Sequence, residues 1–290
     1  IGFKWRLRME KDLFIKPKDL SVKLSTQNNL KILDATFYLP NSDLIAKDEY
    51  DKKHIPNAVF FDINKIADPN NSLPHMIPSK ELFSEQMRDL GLNDGDEIII
   101  YDNSPFLSSA RAWFLFRYFG YDNIFILQGG LNNWIKFNGE VTDQTTSLSK
   151  GNFAAKTEKK ELVVTLDQMI TASKDEKSII LDARSYKRFT GEAKEPRPGL
   201  PSGHIPSSKS LPSSDFVNSQ GFLKSLDEIN LIFSNQEISI KDDIIATCGS
   251  GVSACVISLA LFCMGKVDVP IYDGSWTEWA TSEQKIAKSI

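Results

Sequence analysis

Apolar residues in this chain fall into short, nearly continuous runs that alternate with longer segments in which apolar positions recur every three or four residues. Short runs rich in β-branched residues are typical of strands covered on both faces, and the wider spacing is typical of helices. Their alternation predicts mainly parallel sheets with helices on both sides. The predicted strands are Lys31–Ala35, Ile98–Tyr101, Ser178–Ala183 and Ile244–Thr247, and the predicted helices are Ser79–Leu90, with Ser79 as N-cap, Ser109–Phe119 and Val252–Met264.

The same pattern occurs twice along the chain. Four short motifs recur in the same order at nearly constant offsets of 145 to 150 residues, which indicates two copies of one unit. The matching pairs are Leu33-Asp34-Ala35 with Leu181-Asp182-Ala183, His54-Ile55-Pro56 with His204-Ile205-Pro206, Ile98–Asp102 with Asp243–Cys248, and Gly129–Trp134 with Gly274–Trp279. Because His54 and His204 occur in both copies, we expect structural roles for them.

The repeat divides the chain into two α/β domains. We place the first domain at residues 9–138 and the second at 161–283. Residues 139–160 are rich in Thr, Ser, Lys and Glu and poor in large apolar residues, a composition typical of a linker. Residues 1–8 precede the first methionine and do not enter the prediction of the fold.

Composition narrows the function classes. The 290 residues are 41% hydrophobic and carry a net charge of −4, so the chain can bury a core but has no basic excess for nucleic acid. The longest apolar stretch, Ala254–Met264, is too short to cross a bilayer and is predicted to be a buried helix, so we expect no membrane partner. Three cysteines without a C-x-x-C pair, and three histidines, indicate neither a disulfide framework nor a zinc site. We therefore expect no metal or cofactor and a reducing, cytoplasmic location.

Residues 244–255 carry the strongest chemical signal. A predicted buried strand ends at Cys248, and a turn containing Gly249 and Gly251 leads into a predicted helix. Strand ends of this kind face the ligand crevice, and the turn amides and the helix N-terminus favour an anion. Cys248 is therefore predicted to be a thiolate nucleophile. The first copy has Asp102 at this position, followed by no glycine, so only the second copy can perform thiol chemistry.

Three other interpretations of this segment compete with the prediction that Cys248 is a nucleophile. Gly249-x-Gly251-x-x-Ala254 fits a dinucleotide-binding fingerprint with Asp268 downstream, but such a fingerprint opens a domain and few residues follow here. A Cys-x5-Arg phosphatase loop requires arginine where Ala254 stands. A structural cysteine beside a glycine turn stays open, although the strand–turn–helix context favours chemistry. Cys255 and Cys263 lie on the apolar helix and are expected to pack there.

The loop Cys248-Gly249-Ser250-Gly251-Val252-Ser253, the tandem copies and the terminal Tyr272–Trp279 motif resemble the two-domain sulfurtransferases. These proteins pair an inactive and an active rhodanese-like domain. More narrowly, the loop is similar to that of the 3-mercaptopyruvate sulfurtransferases, Cys-Gly-Ser/Thr-Gly-Val-Thr, whereas thiosulfate-using rhodaneses usually have the basic loop Cys-Arg-Lys-Gly-Val-Thr. Ser253 replaces the customary threonine and keeps its hydroxyl. The resemblance covers about residues 10–283.

The resemblance implies that sulfane sulfur passes from 3-mercaptopyruvate to a thiol acceptor such as thioredoxin, or to cyanide, through a persulfide on Cys248. Pyruvate is released. Ser250 would hydrogen-bond the substrate thiol and pass on its proton. The rest of the loop would bind substrate and persulfide: Gly249, Gly251, Val252 and Ser253. Two alternatives are a thiosulfate:cyanide sulfurtransferase and a carrier that receives its persulfide from a partner protein.

Arginines distinguish the second copy. Mercaptopyruvate carries a carboxylate beside a ketone, which favours planar bidentate donors. Arg184, Arg188 and Arg197 follow the Leu181-Asp182-Ala183 strand, whereas the matching residues 34–54 contain no arginine. The family match implies that Arg188 and Arg197 bind the carboxylate and keto groups, and we expect a structural ion pair for Arg184.

A histidine of the first copy is a further candidate. Relatives are thought to support the loop serine with a histidine and an aspartate from the first domain, and Pro74-His75-Met76 makes His75 the candidate here. The acidic position falls on Asn64, which can orient His75 but cannot stabilise its cation as a carboxylate does. Asp62 is an alternative support, and a packing or positioning role for His75 stays open.

Overall fold

The computed structural model describes residues 13–289 and contains two five-stranded sheets whose neighbouring strands are all parallel. The first sheet has the order β1-β5-β4-β2-β3, and the second has the order β6-β10-β9-β7-β8. These orders match strand for strand, which confirms the predicted tandem α/β fold. The strands are β1 (Phe14–Ile15), β2 (Leu30–Asp34), β3 (Ala58–Phe60), β4 (Glu97–Tyr101), β5 (Ile124–Leu127), β6 (Val163–Val164), β7 (Ile179–Asp182), β8 (Lys209–Ser210), β9 (Ile244–Thr247) and β10 (Ile271–Tyr272).

Ten α-helices and two short 3-10 turns accompany these strands among residues 13–289. The helices are α1 (Pro17–Thr26), α2 (Ala46–Lys52), α3 (Lys80–Asp89), α4 (Ser109–Tyr118), α5 (Gly130–Lys136), α6 (Leu166–Asp175), α7 (Tyr186–Thr190), α8 (Leu226–Asn235), α9 (Ala254–Cys263) and α10 (Ser275–Trp279), and the 3-10 turns are Lys160–Leu162 and Ser213–Phe216. None of the helices in the described range is long and apolar enough to span a membrane.

The predicted elements agree with the observed ones to within one or two residues. Ser79 caps α3 as expected, because its hydroxyl accepts a hydrogen bond from the Leu82 amide at 3.2 Å. Helix α9 begins at Ala254 rather than at Val252, since the glycine turn extends to that point. Residues 9–12 of the predicted first domain lie outside the described residues.

Helices α4 and α9 form the boundary between the two domains. All ten residues of α4 and nine of the ten residues of α9 are buried. Trp113 of α4 contacts Phe262 of α9 edge to face, with ring centroids 5.2 Å apart. Because both helices follow the strands that end just before Asp102 and Cys248, this packing places the two corresponding loops near the same boundary.

The segment 139–160 lies against the first domain. Its Thr142 forms an antiparallel bridge with His54, and the Phe153 amide donates to the Leu92 carbonyl at 3.1 Å. The Phe153 side chain is fully buried among aromatic rings of the first domain, 5.0 Å from Tyr121 and 6.0 Å from Phe83 between ring centroids. The linker is therefore a packed element of the first domain over much of its length.

The repeated histidines have structural roles, as predicted. His54 is hydrogen-bonded through Nδ1 to the Tyr50 carbonyl at 2.7 Å and stacks on the Tyr50 ring. His204 repeats this arrangement with Phe189, whose carbonyl lies 2.8 Å from Nδ1. Each ring thus holds the turn that follows the second helix of its domain, α2 for His54 and α7 for His204.

Phe153→Ala should lower the free energy of unfolding by about 3–5 kcal/mol, because it leaves a cavity within the aromatic cluster. Chemical or thermal denaturation measures the loss. Leu148→Ala is the matched control in the same linker, since Leu148 is exposed, and it should change stability by less than about 0.5 kcal/mol. Similarly small effects of both substitutions would show that the linker is not packed as described.

Candidate active site

A cavity of about 210 Å³ lies where the two domains meet, with Cys248 in its wall. Cys248 follows the last residue of β9, and only 2% of its surface is exposed. The first domain supplies an apolar wall of Phe37, Leu39, Pro40, Pro105 and Phe106. The second domain supplies the arginines and the loop: Arg184, Arg188, Arg197, Cys248, Gly249, Ser250, Val252 and Ser253. The cavity therefore joins an apolar face to a cationic one.

Ser275 organises the loop, and the sequence analysis did not identify it. Its hydroxyl accepts hydrogen bonds from the amides of Cys248 at 3.3 Å and Gly251 at 3.0 Å, and donates to the Tyr272 carbonyl at 2.7 Å. The amides of Cys248 and Gly251 are thus bound to Ser275 and are not available to the anion that the sequence predicts here. Ser275 Oγ also lies 3.8 Å from Cys248 Sγ.

The remaining amides of the loop are available to a ligand. Among residues 13–289 the amides of Gly249, Ser250, Val252 and Ser253 have no protein acceptor. They surround the start of α9, whose N-terminal end carries partial positive charge. Unpaired amides beside the N-terminus of a helix are a common way for proteins to bind an anion.

Gly251 contributes its conformation rather than a contact in the cavity wall. Its φ is +75°, a value that favours glycine. A Cβ atom at this position would lie 2.9 Å from Asp273 Oδ1 and 3.2 Å from Arg111 Nη1. Any other residue here would strain the turn and crowd Asp273 and Arg111.

Arg184 forms the structural ion pair that the sequence predicted. Its guanidinium is fully buried, contacts Asp182 at 2.6 Å and Glu195 at 2.9 Å, and stacks over the Trp276 ring. Glu195 also accepts from Arg188, with Nη2–Oε2 at 2.5 Å and Nε–Oε1 at 3.2 Å. Glu195 thus fixes one edge of the Arg188 guanidinium, and the other edge stays free for a planar anion.

Arg197 has no carboxylate partner among residues 13–289, in contrast to Arg184 and Arg188. Burial lowers the pKa of Arg197, while its electrostatic interaction with Cys248 opposes that shift. Three arginines face two carboxylates, Asp182 and Glu195, so one positive charge is left for an anionic sulfur or substrate.

A chain of hydrogen bonds runs from the cavity into the first domain. His75 Nδ1 lies 3.0 Å from Ser250 Oγ, and His75 Nε2 lies 2.9 Å from Asn64 Oδ1. Because an amide oxygen only accepts, Nε2 carries the hydrogen and Nδ1 accepts from the Ser250 hydroxyl. Asp62 does not contact His75; its Oδ1 accepts a hydrogen bond from the backbone N–H of Asn64 at 3.0 Å. Asn64 is therefore the residue that orients His75.

His75 is buried and stays neutral at ordinary pH. Burial, followed by the charges of Arg197 and Arg111, lowers the pKa of His75 to about 3. It does not line the cavity, whereas Ser250 does. A proton from a bound thiol would therefore reach His75 only through Ser250.

The other cysteines differ from Cys248. Cys255 is fully buried in α9 and donates to the Gly251 carbonyl at 3.2 Å. Burial raises the pKa of Cys255 to about 12, which makes it a poor nucleophile. Cys263 is also buried. No group of three or more His, Cys, Asp or Glu in the described part of the chain is placed to hold a metal ion.

The corresponding loop of the first domain fills its own anion site. Asp102 accepts hydrogen bonds from the Ser104 amide at 2.8 Å, the Ser104 hydroxyl at 2.7 Å and the Ser109 amide at 3.0 Å.

Comparison of the two copies could have identified Ser275 as a functional residue. Ser275 stands at the position of Gly130 in the first copy and has nearly the same φ, +52° against +55°. A serine where the repeat has a left-handed glycine indicates a required hydroxyl.

Comparison with known proteins agrees with this architecture. The model of the rhodanese-like domain matches residues 17–137 and again residues 165–282. The chain belongs to the rhodanese-like family, as a tandem of two domains.

Individual relatives are named as sulfurtransferases. The 3-mercaptopyruvate sulfurtransferase of Escherichia coli K12 is 40% identical over 251 residues, covering 86% of this chain and 89% of that protein. Thiosulfate/3-mercaptopyruvate sulfurtransferase 1, mitochondrial, of Arabidopsis thaliana is 39% identical over 282 residues, covering 90% of this chain and 74% of that protein. The crystal structure of SseA from Escherichia coli, described as a 3-mercaptopyruvate sulfotransferase, superposes with a TM-score of 0.82 at 36% identity, covering 91% of this chain and 98% of that one.

Proposed function

We propose that this protein is a sulfurtransferase that moves sulfur from 3-mercaptopyruvate to a thiol acceptor or cyanide through a persulfide on Cys248, and releases pyruvate. The observation that carries the proposal is the position of Cys248 between unpaired loop amides and two arginines, in a cavity that Ser250 connects to a neutral His75. The names of relatives at 39% and 40% identity support the donor.

Substrate binding follows from the charges of the cavity. The free edge of Arg188 and the unpaired Arg197 bind the carboxylate and keto groups of mercaptopyruvate. Phe37 and Phe106 exclude water from the opposite side. The substrate thiol is thereby held between the Cys248 sulfur and the Ser250 hydroxyl.

In the first half-reaction the Cys248 thiolate attacks the substrate sulfur. An S–S bond forms, the C–S bond breaks, and its electron pair leaves with carbon as the enolate of pyruvate. The substrate thiol proton passes to Ser250, which gives its own proton to His75 Nδ1. The same pair returns a proton to the enolate carbon, so pyruvate leaves and Cys248 keeps a persulfide anion.

In the second half-reaction the persulfide is discharged. The loop amides and the α9 N-terminus hold its negative outer sulfur until an acceptor arrives. An acceptor thiolate attacks the outer sulfur, the new persulfide leaves on the acceptor, and Cys248 returns as thiolate. We propose thioredoxin as the physiological acceptor, since a dithiol can then displace the sulfur as hydrosulfide. Cyanide would leave as thiocyanate by the same attack.

Thiosulfate is the alternative donor, and the name of the Arabidopsis relative includes both substrates. The geometry around Gly249 favours mercaptopyruvate, because a Cβ atom there would lie 2.9 Å from Arg188 Nη2. A basic side chain at this position would displace and repel Arg188. The second alternative is a persulfide carrier, which needs neither substrate-binding arginines nor a proton path. The arginines of the cavity and the hydrogen bond from Ser250 to His75 therefore support an enzyme.

The proposed reaction requires Cys248 as a free thiol, and Cys248 is a free cysteine in the structure. We therefore place the protein in a reducing compartment, with the cytoplasm as our proposal. The name of the Arabidopsis relative assigns that protein to mitochondria.

Cys248→Ser should lower pyruvate release from mercaptopyruvate by about a thousandfold or more, because the nucleophile is lost. Release of pyruvate under saturating cyanide measures the rate. Cys255→Ser is the matched control, since its hydroxyl can still donate to the Gly251 carbonyl, and it should keep most of the activity. Activity retained by Cys248→Ser would refute the assignment. A wild-type protein that is loaded by a partner but does not turn over free mercaptopyruvate would instead support the carrier.

Arg188→Lys should reduce kcat/KM for mercaptopyruvate by roughly 10- to 100-fold, mainly through KM, and should reduce kcat/KM for thiosulfate less. A lysine keeps the charge but cannot use one edge for Glu195 and another for a planar carboxylate. Steady-state kinetics with both donors test this. Exposed Lys187 provides the control, and Lys187→Ala should leave both donors unaffected. Equal losses for the two donors would contradict the proposed role of Arg188.

Asn64→Asp should shift the acid limb of kcat for mercaptopyruvate to higher pH, by about one pH unit. The added carboxylate raises the pKa of His75 from its low value, so protonation blocks Nδ1 at a higher pH than in the wild type. A pH–rate profile measures the shift, with Asn71→Asp as control in an exposed turn that does not contact His75. An unchanged profile would show that His75 does not accept the proton.

A further inference from the structure

A buried ion pair crosses the domain boundary beside the active site. Arg111 lies in the first turn of α4 and is 1% exposed, and Asp273 follows β10 and is 3% exposed. Arg111 Nη1 lies 3.0 Å from Asp273 Oδ1. The mechanism above gives neither residue a role, and neither lines the cavity. Val256 stands at the position of the second copy that matches Arg111, so the repeat does not require the arginine.

The ion pair holds both halves of the proton path. Arg111 Nη1 donates to the Gly251 carbonyl at 3.1 Å, and Nη2 donates to the His75 carbonyl. Asp273 Oδ2 accepts from the Ile77 amide at 2.7 Å. The catalytic loop and the His75 segment, which belong to different domains, are therefore fixed to the same two side chains.

This fixation matters most at the hydrogen bond between His75 and Ser250. The 3.0 Å bond from His75 to Ser250 joins residues 175 positions apart across the domain boundary. His75 also has a φ of +63°, a conformation that non-glycine residues adopt only when their surroundings hold them there. Burying an ion pair has a large desolvation cost, so stability alone does not explain why this pair is present.

We propose that Arg111 is a positioning residue for proton transfer, which together with Asp273 holds His75 within hydrogen-bond distance of Ser250. This proposal rests on the proposed function. It predicts a dependence on the donor. Mercaptopyruvate must lose a thiol proton and its carbon must gain one, whereas thiosulfate gives up its outer sulfur and leaves as sulfite dianion without any proton movement.

Arg111→Lys should therefore lower kcat for mercaptopyruvate by roughly 10- to 100-fold, since a displacement of about 1 Å can cost a hundredfold. KM for mercaptopyruvate and kcat for thiosulfate should stay within about threefold of the wild type, because Arg111 touches neither substrate. Steady-state kinetics with both donors and cyanide as acceptor provide the four values.

Arg117→Lys is the matched control. Arg117 is buried on the same helix, donates to the Val267 carbonyl of the second domain and packs over the Phe262 ring, but does not contact the His75 segment. It should change neither donor's kcat beyond the effect of any lost stability. The double variant His75→Asn/Arg111→Lys should be no slower with mercaptopyruvate than His75→Asn alone, because Arg111 acts through His75.

The outcomes separate the two proposals. Equal losses for both donors, no loss with either, or additive losses in the double variant would overturn the role of Arg111. If His75→Asn alone leaves mercaptopyruvate turnover unchanged, the proton path itself is refuted. If Arg111→Lys fails to fold, Asp273→Asn tests the same prediction, since it keeps an acceptor for the Ile77 amide while weakening the ion pair. A loss confined to mercaptopyruvate supports the proposal, and a loss shared by both donors refutes it.

Discussion

The proposed reaction places negative charge on a sulfur atom of a buried residue, and this requirement is the constraint on which the proposed site depends. Cys248 is 2% exposed, so a thiolate or a persulfide there would be only weakly solvated by bulk water. In the proposed mechanism, unpaired loop amides, the N-terminus of α9 and the surplus charge of Arg197 stabilise the sulfur in place of water. Ser275 holds the turn in the conformation that presents those amides, and Gly251 lets it close. Each of these features serves to solvate one sulfur atom.

The two domains divide this task between them. Both contain a strand that ends at an anion site beside a helix N-terminus, but Asp102 occupies its own site with three hydrogen bonds. The first domain is thereby closed to thiol chemistry, and it supplies the apolar wall and His75 instead. The buried helices α4 and α9 bring the two contributions together at the boundary.

Sequence patterns identified the parts that depend on local order. The strands preceding Asp102 and Cys248 are continuous apolar runs, and short repeated motifs indicate the tandem organisation. Each run and each motif is only a few residues long, so both can be recognised in the sequence. The choice between Asn64 and Asp62 depends on which side chain reaches His75, and the Arg111–Asp273 pair joins residues 162 positions apart. The two-residue strands β1 and β6 form only because a neighbouring strand pairs with them. Such long-range contacts leave no pattern in a single chain.

Mass spectrometry of the peptide that contains Cys248 tests most directly where the transferred sulfur resides. The protein is mixed with an equal amount of mercaptopyruvate in the absence of an acceptor, and the thiols are then blocked. We expect Cys248 to gain one sulfur atom, with one pyruvate released for each site modified, and the added sulfur to disappear on addition of cyanide. Pyruvate release without added sulfur on Cys248, or with the sulfur on Cys255, would contradict a persulfide held by this loop.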